Sequence, residues 1–413
     1  MSSNATIAVV GAGAAGLMAA IWAGRAGDRR VLLLDGARTL GAKILISGGG
    51  RCNVTHHAVD ETAFAGSSPA AIRKVLRRFE VPATVAFFAE LGVGLKREET
   101  GKLFPVTDRA RTVLDALLEA AHVASVEIVH PWRVTEVSRG RSGFAIVASD
   151  GRRLEAGRVV LATGGKSIPK SGSDGAGYGM AVQLGHSFTD LVLPALVPLR
   201  LAEGHFLRGL SGLAAPATVT VRSASGRRLV ALTGATLCTH FGLSGPAILD
   251  VSRHLLAARA SDPAAGLVIN WLPGTSTESL DEHLRTLGAG TPVRLLQGQE
   301  QIPERLARAL CAAAGVDPAT PGYRLTREGR LALARAATQL PAPVVGDAGF
   351  DFAEVTAGGV PLRELDLATL ESRACPGLFV CGEICDVDGR IGGFNFQWAW
   401  ASGYVAGLGA AAA

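Results

Sequence analysis

Gly11-Ala12-Gly13-Ala14-Ala15-Gly16 has residue types that do no acid–base work but can hold a diphosphate. An apolar strand pattern, Ile7 to Val10, leads into it, and a helical pattern from Leu17 to about Ala26 leads out. A tight turn at Gly11, bare backbone at Gly13 and close helix–strand packing at Gly16 would aim a helix N-terminus at a pyrophosphate. A second strand, Val31 to Leu34, ends in Asp35, nineteen residues beyond Gly16, where a carboxylate can accept hydrogen bonds from a ribose. A plain glycine turn explains neither the spacing nor the acid. The pattern predicts a dinucleotide site.

Which dinucleotide is decided elsewhere. Arg158 to Leu161 reads as a buried strand ending in Ala162-Thr163-Gly164, and Leu378 to Cys381 as a late strand ending in Gly382-Glu383. Flavoproteins with two dinucleotide folds resemble this chain at both points, and NAD dehydrogenases lack the trio. Non-covalent FAD is therefore the expected cofactor, with Glu383 at its ribityl–pyrophosphate part. The loop at 41–53 carries Lys43, Ser47, Gly48, Gly49, Gly50, Arg51, Cys52 and Asn53. Its bare N–H groups suit close approach to a flat ring or a phosphate. A flexible surface loop, and for Lys43 a surface lysine, are the alternatives. Near the end, Gly392-Gly393-Phe394-Asn395 reads as a glycine turn into a helix, whose N-terminus would stabilise negative charge on a reduced flavin. A simple helix cap reads equally from these residues. Val134 and Asp386 are assigned to the same cofactor, and Asp388 to the surface.

The elements that must position these residues form an α/β pattern. The first 35 residues are one β-α-β unit. Helical patterns follow at 70–91 and 108–122, then short alternating strands near 126–137, 143–148 and 152–155, expected to form an antiparallel meander across a parallel sheet. Character changes after about residue 190. Thr218 to Arg222 and Leu229 to Leu232 mark a β-rich region, and 276–340 reads as several helices. Short strands return from Val344, and Trp398 to Ala413 reads as a buried helix. The expected domains are a first FAD segment at 1–190, an inserted substrate domain at 191–345 (β-rich to 275, helical over 276–340) and a closing segment at 346–413.

Composition limits the function classes. With 413 residues, 48% hydrophobic and 19% charged, the chain is a folded protein of more than one domain. No apolar run reaches the roughly 18 residues of a membrane span. The net charge of +5 is small and its arginines are scattered along the sequence, which makes a nucleic-acid partner unexpected. Six cysteines without disulfide or zinc spacing, and no leader ahead of Ile7, fit a cytoplasmic chain with reduced thiols. No Ser-His-Asp set or metal-ligand spacing appears, so no metal is expected. Oligomeric state is not legible.

Taken together, GAGAAG at 11–16, KILISGGGRCNVT at 43–55, LATGGKSIPKSGS at 161–173, THFGLSGPAIL at 239–249, TAGGV at 356–360 and the segment 376–407 resemble the BaiN-like (YhiN-type) bacterial NAD(P)/FAD-dependent oxidoreductases. The resemblance implies a two-segment, glutathione-reductase-type FAD domain with an inserted β-barrel-like and helical region. It also implies NAD(P)H-driven reduction of an activated C=C bond in a small organic substrate. The chain departs from that pattern at Ser173-Asp174-Gly175-Ala176-Gly177, where the family often has Ser-Thr-Gly-Asp-Gly, and at Asp35, where Glu is frequent.

The flavin carries the redox chemistry, and the chain supplies orientation and electrostatics. His240, in Thr239-His-Phe-Gly-Leu-Ser-Gly-Pro, is the ionisable candidate for a proton donor, with a packing or loop histidine as the equal alternative. Cys52 reads as a packed side chain rather than a redox group. Two other functions compete. One is a flavin amine oxidase producing peroxide; the other is a protein whose FAD is structural and whose surface binds RNA or another macromolecule.

Overall fold

The computed structural model describes residues 6–27, 29–141, 143–300 and 302–412, without the side chains of 299 and 300. It comprises two compact units, Met1–Pro194 with Glu354–Ala413, and Ala195–Ala353.

The first unit is built on a five-stranded parallel sheet ordered Leu378–Val380, Arg158–Leu161, Thr6–Val10, Arg30–Leu34, Val126–Val129. Its inner strands, Arg158–Leu161, Thr6–Val10 and Arg30–Leu34, are rich in Val, Ile and Leu and buried along nearly their whole length, as strands covered on both faces are. The chain enters at the middle, moves outward on one side and crosses to the other. The crevice at that switch lies between the carboxyl ends of Thr6–Val10 and Arg158–Leu161, where doubly wound sheets bind ligands.

Two helices close over the sheet, Ala14–Arg25 and Phe394–Ala412. They meet along small residues. A Cβ added at Gly403 would lie 2.5 Å from the Ala15 carbonyl oxygen, and one at Gly407 2.3 Å from that of Ala19. The C-terminal helix is buried at most of its positions, as its apolar composition requires, and Ala413 lies outside the described residues. No helix among the described residues is long and apolar enough to cross a membrane.

Two expectations about elements are corrected. Residues 126–137 do not belong to one meander. Val126–Val129 pairs in parallel with Arg30–Leu34, and only Val134–Arg139 joins Phe144–Ala148 and Arg153–Ala156 in the antiparallel sheet. Pro131 lacks the N–H that a continuing ladder would need, so the strand stops and the chain changes sheets. The helical pattern at 70–91 is two helices, Pro69–Leu76 and Val81–Glu90, the second carrying Pro82 in its first turn.

The second unit holds a seven-stranded antiparallel sheet ordered Leu340–Ala342, Gly266–Asn270, Ala214–Arg222, Arg228–Cys238, Gly242–Ser244, Leu199–Leu201, Val344–Asp347. Only Pro343 separates Ala342, on one edge, from Val344, on the other, so the sheet curls round on itself as a barrel does. Along Ala214–Arg222 the alternate residues Ala215, Ala217, Val219 and Val221 are buried, which is the period of a sheet with one dry face. Helix Pro246–Ser261 packs on that sheet, and Thr277–Arg285, Pro292–Glu300, Glu304–Ala313 and Arg327–Thr338 form the helical part. Trp271, Leu306, Leu310 and Leu333 share one core with the strands.

Candidate functional site

Each glycine of the N-terminal turn has a different geometric role. Gly11 takes φ +102° and donates its N–H to the Leu34 carbonyl at 2.8 Å; a Cβ there would sit 2.5 Å from the Ala162 carbonyl oxygen. A Cβ on Gly16 would lie 1.8 Å from the Gly11 carbonyl oxygen, so only glycine lets helix and turn approach this closely. Gly13 precedes the first residue of the helix, and its missing Cβ opens onto no atom within 4 Å. Ala14 and Ala15 form the first turn, and the Ala15 methyl lies 2.7 Å from where Gly382 would carry a Cβ. Gly382 is thereby brought to the helix N-terminus from the far end of the chain.

Asp35 ties this turn down. Its Oδ2 accepts the Ala12 N–H at 2.6 Å and its Oδ1 the Ala37 N–H at 2.7 Å. The Trp132 N–H donates to the Asp35 carbonyl and Arg133 packs against Gly36; Val134, the next residue, is buried and begins the antiparallel sheet.

Residues 41–53 are not a loop throughout. Ala42-Lys-Ile-Leu-Ile46 are helix formers and take a helical turn. The helix breaks at Ser47 (ψ 149°), Gly48 (φ +56°) and Gly49 (φ +69°). Glycine density in the sequence concealed that turn. Ser47 spends its hydroxyl on the Ile44 carbonyl at 2.8 Å. Gly49 opens onto empty space, and Gly50 also has positive φ. Cys52 is fully buried, and burial pushes its thiol up to about 12. Arg51 is drawn aside: its guanidinium lies 4.0 Å from the centroid of the Phe104 ring, 2.6 Å from Glu98 and 3.6 Å from Asp108. Its charge is thus balanced locally.

Lys43 reaches Glu383 across 340 positions of sequence, Nζ to Oε2 at 2.9 Å. The other carboxylate oxygen of Glu383 accepts the Thr356 N–H at 3.1 Å. Thr356 is fully buried, and its Oγ1 accepts from the Lys166 and Ser167 N–H groups at 2.8 and 3.1 Å, fixing the segment that follows Ala162, Thr163 and Gly164. Gly164 takes φ +74° beside the Ser173 hydroxyl. In the departing loop, Asp174 caps Ala176 N–H and pairs with Arg133 at 2.6 Å. Partial burial works against its charge, but these partners hold the carboxyl below the usual range.

The helix from Phe394 locks the remaining pieces together. A Cβ on Gly393 would strike the Thr55 backbone at 2.6 Å, so the Gly392-Gly393 turn lies directly against the end of the 43–55 segment. Asn395 closes its own turn, accepting the Gly389 N–H at 2.8 Å and donating to the Gly389 carbonyl at 2.9 Å. Gln397 accepts from the Thr55 and Thr84 hydroxyls at 2.7 and 2.9 Å and donates to the Phe79 carbonyl. Trp398 donates to the Gly382 carbonyl, Ser402 accepts the Gly382 N–H, and Trp400 donates to the Val54 carbonyl. Thr356, Gln397 and Ser402 escape sequence reasoning because each acts on backbone far away in the chain. For Gln397 and Ser402 the available signal is a polar residue within an apolar helix; Thr356, on the strand Val355–Ala357, carries none.

Asp386 is buried and accepts from the Ser67 hydroxyl at 3.3 Å. Asp388 is not a surface residue: it is 1% exposed, on a strand, Val387–Gly389, that pairs with Phe64–Gly66. An acidic type suggested water, but the strand pairing draws it inside. His240 is in the other unit, exposed on the turn between Arg228–Cys238 and Gly242–Ser244.

The residues present fit a dinucleotide-containing group. Gly13 offers an open approach to a helix N-terminus, and the Asn53 Oδ1 and Thr163 Oγ1 atoms are buried without a hydrogen-bond partner, a costly state that a polar ligand relieves.

Comparison with known proteins agrees. The family model described as HI0933-like protein Rossmann domain matches residues 5–409. A 3-dehydro-bile acid delta(4,6)-reductase of Clostridium scindens is 36% identical over 411 residues, 98% of each chain. A ribosomal RNA dihydrouridine synthase of Escherichia coli is 33% identical over 412 residues, 96% of each chain. Among solved structures, the E. coli quinol fumarate reductase FrdA superposes with a TM-score of 0.52 at 18% identity, covering 98% of this chain and 69% of that one, a likeness of fold. The chain belongs to the HI0933-like Rossmann-domain family of flavin-dependent oxidoreductases.

Proposed function

We propose that the protein reduces a C=C bond conjugated to a carbonyl, with NAD(P)H as the electron source. One observation carries this reading. Two relatives that match nearly the whole chain are named for different substrates, yet both names describe saturation of such a bond. In a 3-oxo steroid acid it is the enone; in uridine it is the ring double bond next to a carbonyl.

FAD, when bound, supplies the hydride that adds to the electron-poor carbon. The chain's own residues do the rest. Gly13 and the helix Ala14–Arg25 would hold the diphosphate, Asp35 the ribose hydroxyls, and Glu383, positioned by Lys43 and Thr356, the linking part of the cofactor. Gly49, Asn53 and the Gly392-Gly393 helix N-terminus would meet the ring. A helix N-terminus there favours negative charge on it. The proton that completes the addition needs a donor, and His240 is the candidate. A cytoplasmic location, where NAD(P)H and reduced thiols coexist, accords with this reading.

Anaerobic mixing tests it. NAD(P)H should bleach the flavin absorbance rapidly, and an enone should restore it. Bleaching by small amines with peroxide on re-aeration would instead make the protein an oxidase. His240→Gln at an unchanged reduction rate removes His240 as the donor.

A second reading rests on the dihydrouridine synthase relative: the reducible bond is carried by uridine in RNA. Dihydrouridine appearing in RNA incubated with the protein and NAD(P)H would establish it.

A further inference from the structure

Arginines scattered along the sequence gather in space on the barrel-like unit. Arg200 stands opposite Gly242 in the antiparallel ladder, and the Leu201 N–H donates to the Phe241 carbonyl at 3.0 Å. Arg208 Nε donates to the His240 carbonyl at 3.0 Å, and Arg305 Nη2 to the Gly209 carbonyl at 3.3 Å. Four segments thus share one surface: 199–201, 205–210, 239–242 and the start of the helix Glu304–Ala313. Flat rings stand among the guanidinium groups. His205 packs on Phe206 with centroids 4.8 Å apart, and His240 on Phe241 at 4.9 Å. Arg200, His240 and Arg305 are exposed, while His205, Phe206, Arg208 and Phe241 are half-buried.

Some arginines of this unit are neutralised by carboxylates and others are not; Arg222 and Arg259, on other parts of it, likewise bond only backbone carbonyls among the described residues. Arg285, Arg308 and Arg330 are each paired with a carboxylate, on Glu282, Glu304 and Asp281. Arg200, Arg208 and Arg305 have no carboxylate partner among the described residues, and two of the three are steadied only by backbone carbonyls. Glu304 is taken by Arg308, and the exposed Glu203, between the first two segments, is the other acid nearby in sequence. An uncharged ring substrate has no use for three unneutralised guanidinium groups. Phosphodiester oxygens do, since the guanidinium fork matches them, and unpaired bases stack on exposed rings.

We propose that this surface, built on Arg200, Arg208 and Arg305 with the rings of His205 and His240, binds unpaired RNA. The proposal rests on the second reading above, that the reducible bond is carried in RNA. It also explains why basic residues dispersed in sequence gave no warning of a nucleic-acid partner.

The test uses the full-length, flavin-loaded protein and a fluorescent oligouridine of about 15 nucleotides, titrated by anisotropy from about 50 to 200 mM KCl. Each phosphate contact on a single strand contributes about 0.7 to the slope of log affinity against log salt. Arg200→Gln with Arg305→Gln, both exposed and therefore tolerable to the fold, should lower the slope by about 1.4 and the affinity at low salt at least about ten-fold. Arg200→Lys with Arg305→Lys should restore the slope. Flavin content and bleaching by NAD(P)H verify that each variant is folded. No binding by the wild-type protein at low salt, or an unchanged slope in the Gln variant, overturns the proposal. Dihydrouridine formation is scored separately. If it occurs while the Gln variant keeps its slope, the surface is wrong and the RNA reading stands. If oligouridine binds here but no dihydrouridine forms, the RNA reading falls and the surface stands.

Discussion

Asp35 accepts two backbone N–H groups with one carboxylate, and the ribose contact proposed for it makes its removal a test of both stability and cofactor retention. Asp35→Ala leaves the Ala12 and Ala37 N–H groups without their acceptor, at a cost of about 1–3 kcal/mol for each that stays dry. The purified variant should therefore lose most of its yellow colour and melt earlier, while Asp35→Glu should keep more of both; the absorbance ratio near 450 and 280 nm measures this. Cys52 makes the opposite kind of prediction. Burial holds its thiol, and that of Cys381, at about 12, so neither should react with iodoacetamide at pH 8 until the protein is unfolded. The sign of the linked stability follows. The unfolded chain loses these protons near pH 9 and the folded one only near 12, so stability is fully present below about pH 9 and falls as the pH rises toward 12. Urea titrations at pH 8 and pH 10.5 read that loss, and a higher midpoint at pH 10.5 would refute it.

Between the helices Ala14–Arg25 and Phe394–Ala412 the fit is tight enough to predict a change of one methyl. Gly407→Ala places a carbon 2.3 Å from the Ala19 carbonyl oxygen, so the helices must part, costing about 1–3 kcal/mol. The midpoint of thermal unfolding should drop, whereas alanine at Gly13, which faces open space, should leave that midpoint nearly unchanged yet weaken cofactor retention. Gln397→Leu removes the acceptor of two buried hydroxyls and should destabilise by a similar amount.

The elements that could be read in the sequence are those whose partners are near in the chain. Strand Thr6–Val10, helix Ala14–Arg25 and strand Arg30–Leu34 follow from period, glycine spacing and the terminal acid. Val126–Val129 does not, because an isolated apolar run carries no mark of which sheet it will join. The helical turn at Ala42–Ile46 was hidden by the glycines after it, and the inward position of Asp388 by its charge. Of the candidate site, the glycine turns, Asp35, Lys43 and Glu383 stand out in the sequence by type and spacing, and the structure gathers them in one unit. Their mutual arrangement, set by Thr356 and Gln397, was not legible there. The grouping of Arg200, Arg208 and Arg305 was equally invisible, since contact across a hundred residues leaves no local trace.

At the scale of the whole molecule, one sheet is shared between the two ends of the chain. Leu378–Val380 is the neighbour of Arg158–Leu161, and the helix that follows holds Gly382, Val54 and Thr55 in place. A chain cut before Pro376 should therefore be expressed but colourless, with an exposed apolar edge at Arg158–Leu161 that drives it into inclusion bodies. Light scattering and the flavin content of the soluble fraction would check this, and a soluble yellow fragment would refute it. Protein synthesis runs from the N-terminal side, so the fifth strand and its helix are made only after the other four strands and the whole second unit. A nascent polypeptide can gather its first four strands, but Gly382, Glu383 and the helix from Phe394 join the candidate site only once that late segment has been made. Chains that terminate before Leu378 are thus expected to hold no flavin and to turn over no substrate.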